Sequence, residues 1–230
     1  MKKIHRTAEI MWLLGIVFIA FGVAICSKAD LGVSMIAAPP FILSGAFQNL
    51  VPWLTVGVAT YLVQGVLVVL LCLVVRRIKW QYALAFLVGV LYGYTLDLFL
   101  WMITDFNPQG LVLRWVVLIV GTFVCGFGVA CCFRTYLPAQ VFEVFVTEFA
   151  DKYKCSADRV KWIFDLSLLA FSGLLAWMTD CYQGVGLGTI VTTAVNAPFI
   201  LFWGKIIDRY TVPGVMMPAL ESVLTTRKEA

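Results

Sequence analysis

Seventeen residues from Gly15 to Leu31, GIVFIAFGVAICSKADL, return 106 positions later as GTFVCGFGVACCFRTYL, Gly121 to Leu137. Seven positions are identical without a gap, including Gly15/Gly121, Gly22/Gly128 and Cys26/Cys132, and Lys28 falls on Arg134 so that the positive charge is kept. Shared hydrophobicity alone does not align two glycines and a basic residue. The pair is an internal repeat, and the chain has to place two related units in one fold.

The solvent for that fold follows from composition. With 62% hydrophobic and 13% charged residues and a mean hydropathy of +0.94, there is too little polar surface for a soluble globule. The chain reads as an all-α, polytopic integral membrane protein. Its net charge of +4, from 17 basic against 13 acidic residues, reports topology and not a nucleic-acid partner. The cysteines form no C-x-x-C, and the single histidine, His5, precedes the first apolar stretch, so neither a metal site, nor a cofactor, nor a disulfide framework is expected. The basic start MKKIHR resembles a secretory leader, but Ile25-Cys26-Ser27 lacks a small-x-small cleavage pattern and the segment recurs in the interior, so a retained span is expected.

Six stretches are long and apolar enough to cross roughly 30 Å of hydrocarbon: Ile10 to Cys26, Trp53 to Val75, Tyr82 to Thr104, Leu111 to Phe133, Val160 to Cys181 and Val185 to Ile207. Two segments between them do not fit that role. In LGVSMIAAPPFILSGAF the pair Pro39-Pro40 should break a helix, and a crossing here would put Arg76, Arg77 and Lys79 outside against the positive-inside rule. A re-entrant or interfacial hairpin on the outer side is expected. Tyr136 to Ala150 carries Glu143 and Glu148, each costing about 2.5–3.5 kcal/mol at a membrane centre, beside a greasy face of Phe142, Phe145, Val146 and Phe149. It should lie at, or dip into, the inner side.

Three crossings per repeat is odd, so the second copy has to be inserted upside down: a 3+3 inverted repeat, residues 10–104 and 111–207, in one membrane domain spanning 1–209. Both termini are then cytoplasmic, and 210–230 forms a short tail.

An ionisable residue inside a span is a functional candidate by default. Asp97 lies in the outer half of the third span and Asp165 in the cytoplasmic third of the fifth; Lys28 and Arg134 sit at repeat-related span ends. The sharp expectation pairs Lys28 with Asp97 and Arg134 with Asp165 as two gates of one pathway, with Asp30 and Tyr136 adjoining them. The plainer one has the two cations snorkel to the interfaces. Gln140 and Glu143 beyond Arg134, and Gly188, Thr189 and Asn196 in the glycine- and threonine-rich sixth span, complete the candidate pathway. Asn196 stands two residues before Pro198, where a transporter helix tends to unwind. Gln64, Tyr92 and Tyr94 are weaker candidates, Gly89 and Gly93 suit close helix packing, and Cys26 and Cys132 suit small core positions.

Asp30-Leu31-Gly32-Val33-Ser34, with Gly186-Leu187-Gly188-Thr189 before Asn196 and the terminal Gly204-Lys205-Ile206-Ile207-Asp208, resembles the YczE/YitT-like group of small bacterial membrane proteins over roughly residues 10 to 209. The resemblance implies a duplicated multi-span permease of the bacterial inner membrane without an assigned substrate. That family's Gly-Thr at the start of the last span of each half is replaced here by Ala85-Phe86 in the first half.

The leading functional expectation is a small-solute secondary transporter for a polar or anionic metabolite. Its partners would be membrane lipid and the carried molecule or ion, with no nucleic acid and a homodimer left open. A non-transporting accessory or scaffold protein is the alternative. An enzyme is not expected, since neither a D-x-x-x-D metal pair nor a nucleophile with its base is present.

Overall fold

The computed structural model describes residues 4–77, 79–137 and 140–214. Their regular elements are eight helices and two four-residue strands: β1 (Ile4–Thr7), α1 (Ala8–Lys28), α2 (Ala38–Phe47), α3 (Val56–Val75), α4 (Trp80–Met102), α5 (Leu111–Cys132), α6 (Val141–Tyr153), α7 (Ala157–Thr179), α8 (Leu187–Tyr210) and β2 (Thr211–Gly214). Six of the helices are long and apolar enough to span a membrane, and they fall where the apolar stretches lie. β1 and β2 pair in parallel, Ile4 opposite Thr211, which holds the start of α1 and the end of α8 at one end of the bundle. The expected tail from 210 therefore begins as a strand; 215–230 lie outside the described residues.

The repeated segment forms the central seam. α1 packs along α5, and glycine sets the distance between them. A Cβ at Gly15 would meet the carbonyl of Gly128 at 2.9 Å, and one at Gly121 the carbonyl of Gly22 at 2.9 Å; one at Gly22 would meet Cys125 N at 2.5 Å, and one at Gly128 Ile19 N at 2.6 Å. Each contact maps onto its partner when 106 is added or subtracted. The same exchange holds for the two thiols that were read as small core residues: Cys26 Sγ donates to the Leu118 carbonyl at 3.5 Å, and Cys132 Sγ to the Trp12 carbonyl at 3.8 Å. The two helices run antiparallel, because Gly15 meets Gly128 while Gly22 meets Gly121.

The rest of the packing is also paired. α4 lies on α1 as α8 lies on α5; α2 touches α3 and α7, while α6 touches α7 and α3. Two contacts have no counterpart of similar extent: the tight α3–α4 contact at Gly57 and Gly93, and the packing of α4 on α6.

Neither awkward segment crosses. Residues 29–55 enter and leave at the end remote from the termini: α2 finishes near Cys181 and Gln183, and Ser44 Oγ donates to the Leu54 carbonyl at 2.9 Å, just ahead of α3. Residues 133–137 and 140–156 begin and end at the terminal end, where Glu148 on α6 receives Lys79 Nζ at 2.6 Å and Tyr82 Oη at 2.9 Å. Pro39 and Pro40, expected from the sequence to break a helix, instead open one. In the first turn of α2 their missing N–H groups have no intrahelical acceptor to serve, and both rings are buried. Pro198 likewise leaves α8 continuous, so the unwinding expected there does not occur.

Candidate functional site

The two half-helices α2 and α6 converge half-way along the spans. Ile36, just ahead of α2, packs into the cluster of Val141 and Phe142 that opens α6. Between these tips and the central seam lies a cavity of about 140 Å³. Five pairs of its lining residues are related by the 106-residue offset: Ile19 and Cys125, Val23 and Val129, Ser34 and Gln140, Ile36 and Phe142, Ala37 and Glu143. The cavity thus sits where the two halves of the chain meet symmetrically, and the side chains break the symmetry. The first half offers Ser34 and Ala37, the second an amide and a carboxylic acid.

Other polar groups reach it from the spans. Thr60 comes from α3, Tyr92 from α4, Lys161 from α7 and Asn196 from α8. Tyr92 is only 5% exposed, and among the described residues its hydroxyl has no hydrogen-bond partner. Asn196 Oδ1 is buried without a partner. A buried polar atom without a partner costs about 1–3 kcal/mol, so the wall at Asn196 has an acceptor that a bound group can complete.

Glu143 is the third residue of α6, and its carboxylate turns back toward the backbone N–H groups of Gln140 and Glu143 itself, as a helix-capping acid does. Burial pushes its pKa above the ordinary glutamate value; Lys161 pulls it back down and Asp165 adds to the rise. Among the described residues it has no ion-pair partner within 4 Å.

Beyond Phe41, which lines the cavity on one side and a recess of about 430 Å³ on the other, lie Lys28, Asp30 and Arg114 at the end remote from the termini. Lys28 Nζ donates to the Thr104 carbonyl at 2.9 Å, and Asp30 meets Arg114 at 3.4 Å in an open setting where such a pair contributes about 0–1 kcal/mol.

Both expected gate pairs are corrected. Asp97 does not meet Lys28. Its carboxylate accepts from Thr55 Oγ1 at 2.5 Å and from the Gly57 N–H at 2.7 Å, capping the start of α3, where the helix dipole favours an anion. Arg134 does not meet Asp165. It holds Asp208 through Nε at 2.6 Å and Nη2 at 2.7 Å, tying the end of α5 to the end of α8, and Gly204 is the residue that leaves it room. Asp165 is reached instead by Lys161 at 3.4 Å, one turn earlier on α7. Tyr136 donates to Glu9 at the start of α1. Gly188 and Thr189 seat the loop after α1: Gly188 N donates to the Leu31 carbonyl at 2.8 Å, and a side chain at Gly32, where φ is +109°, would strike Thr189 Oγ1. Of the candidate pathway residues, Gln140, Glu143 and Asn196 line the cavity. Lys161, Thr60, Ser34 and Phe41 were missed, and only Lys161, four residues before Asp165, carried a signal that could have found it.

Residues 6–205 match the model of a family described as a family of unknown function, DUF6198. The chain belongs to DUF6198. The match begins ahead of α1 and ends inside α8, so it takes in both half-helices and the whole cavity wall. Searches of curated proteins and of solved structures return no match.

Proposed function

We propose that this DUF6198 protein is a small-solute permease of the bacterial inner membrane, working by alternating access between two inverted three-span repeats, with both termini cytoplasmic. The observation that carries the reading is the central cavity. It is bounded by repeat-related residues and by the first turns of two half-helices that enter from opposite ends. In membrane proteins non-helical backbone at such depth is tolerated where it lines a cavity, and the half-helix N-termini present there bind polar or anionic groups. The antiparallel seam with its exchanged glycine contacts supports the inverted arrangement, and the resemblance to the YczE/YitT-like group agrees in class. In this reading Phe41 closes the route from the cavity to the recess at Lys28 and Asp30, and rocking of one half against the other along the α1–α5 seam reopens it. No catalytic step is involved.

The test is uptake by proteoliposomes of a panel of small anions and polar solutes. Wild-type protein is expected to carry at least one, and Asn196→Leu and Gln140→Leu to lower its flux by about ten-fold or more, the value of one lost hydrogen bond to a charged group. Unchanged flux in both variants would overturn the site; no flux with any solute would favour the accessory-protein alternative.

A further inference from the structure

Resting on the permease reading, we propose that Glu143 is the proton carrier of the central cavity, so that a small anion crosses together with one proton. The walls of the cavity set up a conflict of charge. The N-terminus of α6 opens onto it and carries the equivalent of about half a positive charge, whereas α2, with Pro39 and Pro40 in its first turn and Ala38 N–H given to the Ser34 carbonyl, adds no free donor. The Tyr92 hydroxyl and Gln140 amide offer donors, and Lys161 stands at its border. Those groups favour an anion, whereas the Glu143 carboxylate and the unpartnered Asn196 Oδ1 on the same walls do not.

Two anions cannot share a small apolar cavity without strong repulsion. The conflict disappears when Glu143 is a neutral acid: it then repels nothing and donates a hydrogen bond of its own. The step balances simply. Glu143 takes a proton from water on one side, the anion enters beside the neutral acid, the halves rock, and anion and proton leave on the other side with the carboxylate restored. Nothing is oxidised or reduced.

The groups that face Glu143 allow this cycle. From α7 come Lys161 and Asp165, of which Lys161 is shared with Asp165; from α5 come the thiols of Cys125 and Cys132; α4 presents Tyr92 and α3 only Thr60. No cation is committed to Glu143 alone, so its charge is set by water access and burial.

A plainer role for Glu143 is as the cap of α6, and the experiment separates the two. Glutamine caps in the same position, so Glu143→Gln should fold. Infrared pH titration of the full chain in lipid should show a protonated-carboxyl band that Glu143→Gln removes. That band should titrate at higher pH in Lys161→Met, which deletes the nearby cation, and at lower pH in Asp165→Asn, which deletes the nearby acid. A purely capping carboxylate gives no such band above the ordinary glutamate range, and that result overturns the proposal. In vesicles containing a pH-sensitive dye, lactate or nitrate uptake should bring protons in with wild-type protein and none with Glu143→Gln; an unchanged dye response in the variant also overturns it. Absence of all lactate and nitrate flux in wild type counts against the permease reading, while the infrared band decides the protonation of Glu143 separately.

Discussion

Replacing Gly22 by alanine tests the seam on which both halves of the molecule depend. The added Cβ would stand 2.5 Å from Cys125 N, 2.7 Å from the Gly121 carbonyl and 2.8 Å from Cys125 Cα, all backbone atoms that no rotamer change can move. To bring these contacts into van der Waals range, α1 and α5 must separate by roughly 1 Å along a well-packed line. Overpacking of this kind costs about 1–3 kcal/mol, against a gain of at most about 1 kcal/mol from alanine's better helix propensity. For a chain of this length each kcal/mol corresponds to about 2–4 °C, so Gly22→Ala in detergent should melt several degrees below wild type. Gly121→Ala meets Gly22 and Cys26 from the other side of the same crossing and should behave alike. Once one alanine has parted the helices the second finds room, so the double variant should fall short of the sum by about 0.5–3 kcal/mol. Gly173→Ala is the control: nothing lies within 4 Å of its Cβ, and it should be neutral or up to about 1 kcal/mol stabilising. Thermal melts followed by fluorescence-detected gel filtration give all four values. A Gly22→Ala protein as stable as the Gly173→Ala control, or strictly additive losses in the double variant, would refute the close-packed, exchanged seam.

Asp97→Ala removes two short hydrogen bonds to an ionised acceptor and leaves Thr55 Oγ1 and the Gly57 N–H to find other partners. A loss of about 1.5–3 kcal/mol is expected, read as a lower melting temperature, while solute flux per folded molecule stays near wild type. Stability should also depend on pH through Glu143. Because its folded pKa lies above the ordinary value, the folded chain keeps a proton that the unfolded chain has released. Stability is therefore full below the ordinary glutamate range and falls as pH rises toward the raised value, and Glu143→Gln should flatten that part of the melting profile. A Glu148→Gln protein should be destabilised by more than Asp30→Asn, since Glu148 is held by both Lys79 and Tyr82 while Asp30 is itself exposed where it meets Arg114; paired melts compare them.

The six spans, the non-crossing segments and the membrane class were legible in the sequence because apolar length, the distribution of basic residues and clustered acids can be read off locally, whereas the prolines misled, opening α2 and leaving α8 continuous. The charge pairs were not. Lys28 and Asp97 share a depth along the bundle, but depth says nothing about rotation around each helix, and Asp97 faces the start of α3 while Lys28 faces the end of α4. Arg134 met Asp208 because Gly204 leaves a slot beside it, a relation between residues 70 apart that no periodicity reveals. Glu143 and Gln140 could be found because a carboxylate and an amide beside a greasy helix face stand out. Thr60 and Ser34 could not, since small polar residues are common in spans and only the meeting of the two tips makes these matter.

Cys125 lies on the cavity wall, related by the repeat to Ile19, and it offers a native probe of the claim that this cavity opens alternately to the two sides. In a variant keeping Cys125 as its only cysteine, reconstituted in vesicles, a small membrane-impermeant thiol reagent should modify it when added from either side, and more slowly when a carried solute is present. Modification from one side alone, or from neither, would contradict alternating access to a shared central site.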